Sequence, residues 1–525
     1  MTTPAIAPYQ SEMRTGQDGF AQLLWSEWTK FRTVRGWVVA IVLAGLVMVG
    51  IDLISGGECG MQNGGSLTTG CPESLGPGGE AVTDSFFFVH QPLASSGGIT
   101  VRLTSMTGSY SPNGSPGQQA QAPLQPWSKA GILIKANTRQ GSAYAAIMVT
   151  GSHGVQMQYD YTGDVAGPAG SVSATSPRWL RLTRAGDIIT GYASADGTHW
   201  SKVGTVTLTG LPSTAQAGLF AASPAYSKPT NQSITGSSAN GGPTQATATF
   251  DRVTLNGASP GSTWNGTDIG GPNGSYPSQG GAYRPSADGF TVTGSGDVAP
   301  AVPGGPTAQG SVTQTLVGTF AGLIAVIIVA TMFITTEYRR GLIRLTLTAS
   351  PRRGHVLAAK AIVIGAVTFV VGLPAALAAI LVGQRMMSAS GLPAAPVPAL
   401  TELRLIVGTA ALLAVAAVLA LAIGAILRRS AAAVTAGIAM IVLTYFFASP
   451  LAVLPAGAAN WLLRVTPAAG FSIQQAYRAY PQVVASYTPT NGYYPLAPWA
   501  GFAVLCAWTA LALGLAGYLL RRRDA

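Results

Sequence analysis

Thr335-Thr336-Glu337-Tyr338-Arg339-Arg340-Gly341-Leu342-Ile343-Arg344-Leu345-Thr346-Leu347-Thr348-Ala349-Ser350-Pro351-Arg352-Arg353-Gly354 is the stretch that decides how this chain of 525 residues is read. It lies between two apolar runs, 316–334 and 356–381. Each run is about as long as the ~20 residues a helix needs to cross a bilayer. The five arginines and one glutamate between them must lie in water. The excess of arginine places that water on the cytoplasmic side by the positive-inside rule. Glu337 and the two following arginines close one helix, and Gly341 allows a turn. Leu342, Leu345 and Leu347 supply apolar contact, and Ser350-Pro351 breaks the chain before the next helix. The pattern predicts a short helix against the membrane face, available to a partner.

The segment E-Y-R-R-G-L-I-R-L-T-L-T-A-S-P-R-R-G-H-V-L-A-A-K, residues 337–360, resembles the cytoplasmic loop between spans two and three of type-two ABC exporter permeases. The resemblance covers the membrane parts, about half the chain. It implies that the loop forms a coupling helix docked on a separate ATPase subunit. On that reading Glu337, Arg339, Arg340, Gly341, Leu342, Arg344, Leu345, Pro351 and Arg353 carry the coupling. ATP would then be bound by the partner ATPase, with no cofactor in this chain. A second permease subunit, identical or different, would complete the transporter.

Composition agrees with a membrane protein. Hydrophobic residues make up 48% of the chain and charged residues only 9%, too few for an ordinary soluble protein of this length. The net charge of +11 raises the question of nucleic acid. Its distribution answers it: residues 56–310 hold 11 basic and 12 acidic residues, leaving 19 basic and 7 acidic elsewhere, crowded at the ends of apolar runs. Such charge sets topology and attracts anionic lipid.

Taken from its start, the chain shows no periodic pattern over 1–17, which is read as disordered, and no cleavable signal peptide. Residues 18–35 read as an amphipathic interface helix with Phe20, Leu24, Trp28 and Phe31 on one face. Glu27 and Lys30 are placed on another face, spaced to pair. The Glu27-Trp28-Thr29-Lys30 run also resembles the one that opens these permeases. The first span is expected at 36–54. Five more follow at about 313–336, 355–382, 403–427, 431–454 and 499–520. Gly318 and Gly322 have G-x-x-x-G spacing for close helix packing, and Pro374 sits inside the third span. The amphipathic run 461–467 resembles the short re-entrant or surface helices that precede the last span in this family.

Between the first and second spans the composition changes to Gly, Ser, Thr, Pro and Asn. Short alternating segments appear at 131–135, 144–149, 155–159, 179–183, 188–193, 203–208, 217–221 and 247–255, with a further one at 290–292. Many short strands at near-regular spacing predict an antiparallel β-sandwich. The run Arg178 to Arg184, followed by Gly186-Asp187, Asp196-Gly197 and Trp200, resembles the strand-turn-strand core of concanavalin/laminin-G-like jelly rolls. Trp179 and Trp200 are read as core residues.

Catalytic chemistry is thin. The one G-x-S-x-G match, 257–261, has Pro260 where an oxyanion hole needs an N–H. His90, His153, His199 and His355 lack metal-ligand spacing, and Asp160, Asp164 and Asp196 read as turn formers. No metal site is assigned. Cys59 and Cys71 read as a disulfide in an exported segment, and Cys506 as a small apolar residue of the last span.

The expected fold is therefore an α-helical polytopic membrane protein of six spans with a large extracytoplasmic all-β sandwich inserted after the first. Its parts are 1–17, disordered; 18–55, interface helix and first span; 56–310, extracellular sandwich with Gly/Ser/Pro-rich linkers; and 311–525, spans two to six. Fifteen basic residues fall on the side of both termini and four in the opposite short loops, which puts the termini in the cytoplasm. The chain has no P-loop and no ionisable residue expected near mid-bilayer, so the energy source is expected to be a separate ATPase. The expected function is that of a transporter membrane subunit in the cell membrane, not an enzyme. The alternative is a membrane-anchored receptor or adhesion protein whose sandwich binds a surface ligand such as a glycan.

Overall fold

The computed structural model describes residues 19–54, 60–63, 66–69, 74–110, 120–122, 124–233, 236–258, 262–271, 280–305, 311–339, 341, 352–389, 395–448, 454–485 and 487–523. Helices α1 (Phe20–Thr33) and α2 (Arg35–Ile54) meet at 78°. The bend follows from the sequence: α1 is amphipathic, whereas α2 is apolar all round and has to be surrounded by apolar material. The other long helices are α3 (Thr319–Arg339), entered through a 3₁₀ turn at Val312–Leu316, α4 (Arg353–Ala389) and α5 (Ala399–Leu427). After them come α6 (Ser430–Ile438), α7 (Ala456–Val465) and α8 (Pro498–Arg523). A π-helical turn, Ala439–Leu443, carries α6 on into the helical turn Thr444–Ala448. Among the described residues five helices are long and apolar enough to cross a membrane, and six if the bent α1–α2 pair is counted.

Gly318 and Gly322 pack inside this bundle. A Cβ on Gly318 would lie 1.9 Å from the Met48 carbonyl oxygen, so the entry to α3 meets α2 backbone to backbone only because that atom is missing. Pro374 lies within the unbroken helix α4. The expected short helix before the last span is α7, followed by a 3₁₀ segment, Pro467–Gln474, whose residues are all buried. Gln474 Nε2 donates to Thr409 Oγ1 at 3.1 Å and to Thr319 Oγ1 at 3.4 Å, satisfying an amide inside the bundle.

In chain order the β-domain falls between α2 and α3. Its main strands are β1 (Ala81–Asp84), β2 (Phe86–Tyr110), β3 (Lys129–Lys135), β4 (Tyr144–Thr150), β5 (Val155–Tyr159), β6 (Gly163–Ala166) and β7 (Arg178–Ala185). They continue with β8 (Ile188–Ser194), β9 (Ser201–Thr207), β10 (Ala215–Ala222), β11 (Thr244–Ala258), β12 (Asn265–Ile269), β13 (Gly289–Ser295) and β14 (Val298–Pro300). The antiparallel order is β6-β5-β4-β3-β10-β2-β7-β8-β9. Strand β2 organises it. Its first half pairs with β10 and β12, its second half with β7 and β11. The change of partners falls near Gly97-Gly98, where a Cβ would lie 2.3 Å from the Asn256 oxygen or 2.7 Å from the Leu182 oxygen. The sheet folds over at this point, and Val89, Ile99, Ile147, Leu180, Leu219 and Phe250 close the core between its layers. Alternate residues of the same strands, Phe88, Leu133, Tyr144 and Phe220, pack on the other face with Tyr161 and Val82. Both faces of β3, β4 and β10 are covered, which is why they read as continuous apolar runs.

Two buried ion pairs pin β3 to the strands at the domain's edge: Lys129 to Asp297 at 2.6 Å and Lys135 to Asp84 at 2.7 Å. Asp84 Oδ2 also accepts from the Tyr161 hydroxyl at 2.7 Å and the Gly141 amide at 2.8 Å. Entry strand β1 and exit strand β14 pair with each other, Asp84 opposite Val298 and Val82 opposite Pro300. Ala299 and Val302 then pack on Val483 and Tyr493 from the segment before α8.

Every expected strand segment lies within an observed strand or one residue beyond it, and Gly186 and Gly197 turn the chain at φ values of 64° and 80°. Asp196 is a turn former, accepting from the amides of Thr198 and His199 at 2.8 Å each. The core reading of Trp179 and Trp200 is corrected. Both are half-buried on the sheet surface and are covered by guanidinium groups, Arg181 lying 3.8 Å from the Trp200 ring centre and Arg102 5.8 Å from that of Trp179. Cys59 and Cys71 lie outside the described residues, and Cys506 is half-buried on α8.

Candidate functional site

The 337–354 loop begins where α3 ends, at the end of α3 away from the β-domain. Residues 319 to 337 rise about 27 Å along the helix. Where the loop leaves α3 and enters α4, three helices bring four charges together. Lys360, in the second turn of α4, places Nζ 2.6 Å from Glu27 Oε2 of α1 and 2.7 Å from Glu337 Oε1 of α3. Lys30 closes the group, 2.6 Å from Glu27 Oε1 and 3.4 Å from Glu337 Oε1. Two carboxylates and two ammonium groups leave no net charge. Glu27 and Lys360 are fully buried and Glu337 nearly so, while the Lys30 side chain is 40% exposed. The Lys360 ammonium also lies 4.6 Å from the centre of the Phe333 ring, one turn before Glu337.

Local sequence explains the placement. Glu27 falls four residues before Phe31 and three after Leu24, so it shares the inward face of α1 with them. The reading that set Glu27 apart from that face is corrected: Glu27 and Phe31 are the buried residues of α1. A carboxylate on the apolar face of an amphipathic helix has to find a cation. The Glu27–Lys30 pairing expected from spacing is present, but Lys360 was read only as one more cytoplasmic charge. Its role could have been found by asking which cation reaches Glu27.

The loop's second end is anchored separately. Arg353 opens α4 and donates from Nη1 to the Leu520 carbonyl at 2.9 Å, at the last turn of α8. Arg339 is the last residue of α3, and Gly341 turns the chain beyond it at φ 67°. Tyr338 lies under the Arg428 guanidinium, 5.0 Å away, where α5 ends in a left-handed cap at φ 56°. Trp28 lies beside the cluster on α1, 36% exposed. Arg340, Leu342, Arg344, Leu345 and Pro351 lie outside the described residues. The arrangement carries no nucleophile or acid–base pair in a cleft. What it can do mechanically is hold both ends of the loop rigidly to α1, α4 and α8.

A family model described as ABC-2 family transporter protein matches residues 186–525. The chain belongs to the ABC-2 transporter family. It is thus the membrane permease of an ABC transporter, a multi-pass membrane protein, and family membership implies association with an ABC ATPase. The match begins within the β-domain and runs through all of α3 to α8, so the ABC-2 assignment includes the loop and Lys360. No curated protein matches the chain. Among solved structures it is similar to a functionally unknown protein from Saccharomyces cerevisiae, with 16% identity over 36% of this chain and 84% of that one, at a TM-score of 0.22. It is also similar to a scytalido-glutamic peptidase in complex with a transition state analog inhibitor, with 7% identity over 40% and 98% of the two chains, at a TM-score of 0.24. Those scores carry no argument about this permease.

Proposed function

We propose that this ABC-2 permease is the membrane subunit of an exporter, working beside a second permease subunit and driven by separate ATPase chains that dock on the 337–354 loop. ATP is bound and hydrolysed on those partners. Both termini and the loop face the cytoplasm, and the β-domain stands outside the cell. The observation that carries the reading is the buried Glu27–Lys360–Glu337 cluster where the loop leaves α3 and enters α4. A docking element can transmit force only if its base is stiff. Here the base is tied to α1 and α4 by charges that are almost wholly buried.

The test is to change Leu342 and Leu345 together to Asp. The apolar ridge is what should hold a partner's groove, whereas rim arginines mostly govern encounter. The variant is expected to insert normally and to lose ATP-driven transport or release the ATPase from membranes. Full ATPase binding and transport in the variant would refute the docking assignment and favour the receptor reading. Sidedness has its own test. Protease added to sealed, right-side-out cells is expected to cut within 56–310 and to spare 337–354; cutting of the loop from outside would overturn the topology.

A further inference from the structure

We infer that the elbow between α1 and α4 is a binding site for one anionic phospholipid. A groove of about 620 Å³ runs there, lined by Ala21, Leu24, Trp25 and Trp28 of α1, by Val38 of α2, and by two stripes of α4. The stripes are Ile362, Ala366 and Val370, and beside them Val363, Val367 and Val371. Ile362 and Val370 are 47% and 68% exposed, so the groove opens outward from the bundle. Arg32 is the one charged residue lining it, and its neighbour Arg35 is also exposed.

Apolar lining and charge together choose the occupant. From residue 362 to residue 371 the groove extends about 14 Å along the helix. Its walls are apolar but for Arg32 and it opens outward, a setting that suits an acyl chain. Among the lining residues Arg32 offers a planar guanidinium matched to a phosphate. Trp25 and Trp28, 69% and 36% exposed, are side chains suited to the headgroup layer. Phosphatidylcholine offers Arg32 the same phosphate but carries its own ammonium beside it, so the positive charge of Arg32 and Arg35 favours a headgroup of net negative charge. The groove and the ion cluster share α1, with Trp28 next to Glu27, so a bound lipid would brace the helix that holds the loop's base.

The probe is dioleoyl phosphatidylglycerol in competition with dioleoyl phosphatidylcholine, added at equal amounts to the delipidated full chain and read by native mass spectrometry. One phosphatidylglycerol per chain is expected, retained about fivefold over phosphatidylcholine. Arg32→Gln, at an exposed position, should make the two lipids equal. Ala366→Trp, which fills the groove, should release both. Equal retention by the unmodified chain, or an unchanged preference in Arg32→Gln, overturns the proposal. So does an Ala366→Trp chain that keeps its lipid but loses a second copy, because the groove would then be a subunit contact. If Ala366→Trp does not fold, Arg32→Gln decides alone.

Discussion

Lys360→Met is expected to destabilise the helical bundle by about 3–5 kcal/mol, the usual consequence of removing one partner from a buried ion pair. The ammonium lies between Glu27 Oε2 and Glu337 Oε1, at 2.6 and 2.7 Å. Without it, two carboxylates remain buried side by side with only the half-exposed Lys30 to oppose them. Glu337 Oε2 already has no hydrogen-bond partner, so this carboxylate has nothing in reserve. The measurement is the thermal midpoint of the purified permease, together with ATPase stimulation, and both should fall. A triple variant, Glu27→Gln with Glu337→Gln and Lys360→Met, removes every fully buried charge and should recover most of the stability, because neutral groups carry no comparable desolvation cost. It should not recover coupling if the cluster stiffens the loop. Lys30→Met removes the exposed partner and should cost less than about 1 kcal/mol. A Lys360→Met protein as stable as the original would mean that the cluster is solvated.

The second large effect belongs to the β-domain. Asp84→Ala strips Lys135 of its counter-charge and leaves the Tyr161 hydroxyl and the Gly141 amide without their shared acceptor. A loss of about 3–5 kcal/mol is again expected, here localised to the sandwich. It can be read as faster proteolysis within 56–310 while the bundle's midpoint holds. The variant should also acquire a pH dependence. Burial lowers the pKa of Lys135 below its ordinary value, and Asp84 opposes that shift. Removing Asp84 lowers it further. Between the lowered folded pKa and the ordinary lysine value the unfolded chain binds more protons, so stability rises with pH across that window. Asp84→Ala should therefore resist protease better at pH 10 than at pH 7. A flat profile would show that Lys135 had found another anion.

The periodicities that place helices and short strands were legible in the sequence because each reflects a local rule. Strand β5 has the bounds its alternation predicts, and α5 ends at the expected residue, Leu427. Strand β2 was not legible. None of the expected strand segments falls within 86–110, a stretch interrupted by Gly97-Gly98. The chain stays extended through those glycines because its partners change there, a tertiary fact with no local signature. Trp179 and Trp200 were misread for a related reason. Large aromatic residues in strands favour burial, and only the fold shows that three arginines have gathered over them. At the site, the Glu27–Lys30 spacing disclosed one contact of four. The contacts that join α1 to α3 and α4 span more than 300 residues of sequence, which no window can register.

The pairing of β1 with β14 has a consequence for how such a permease could have come about. The chain leaves toward the sandwich and returns from it as neighbouring strands, Asp84 opposite Val298. From the side of the helices, everything between those residues is the tip of a hairpin. The distance that α2 and α3 must bridge is set by the paired stem and is indifferent to what the stem carries. Closing a long loop costs only slowly more than closing a short one, and here the stem does the closing. A domain held this way can be gained, enlarged or exchanged without moving a single helix. The bundle and the sandwich are therefore free to diverge at different rates while remaining one polypeptide.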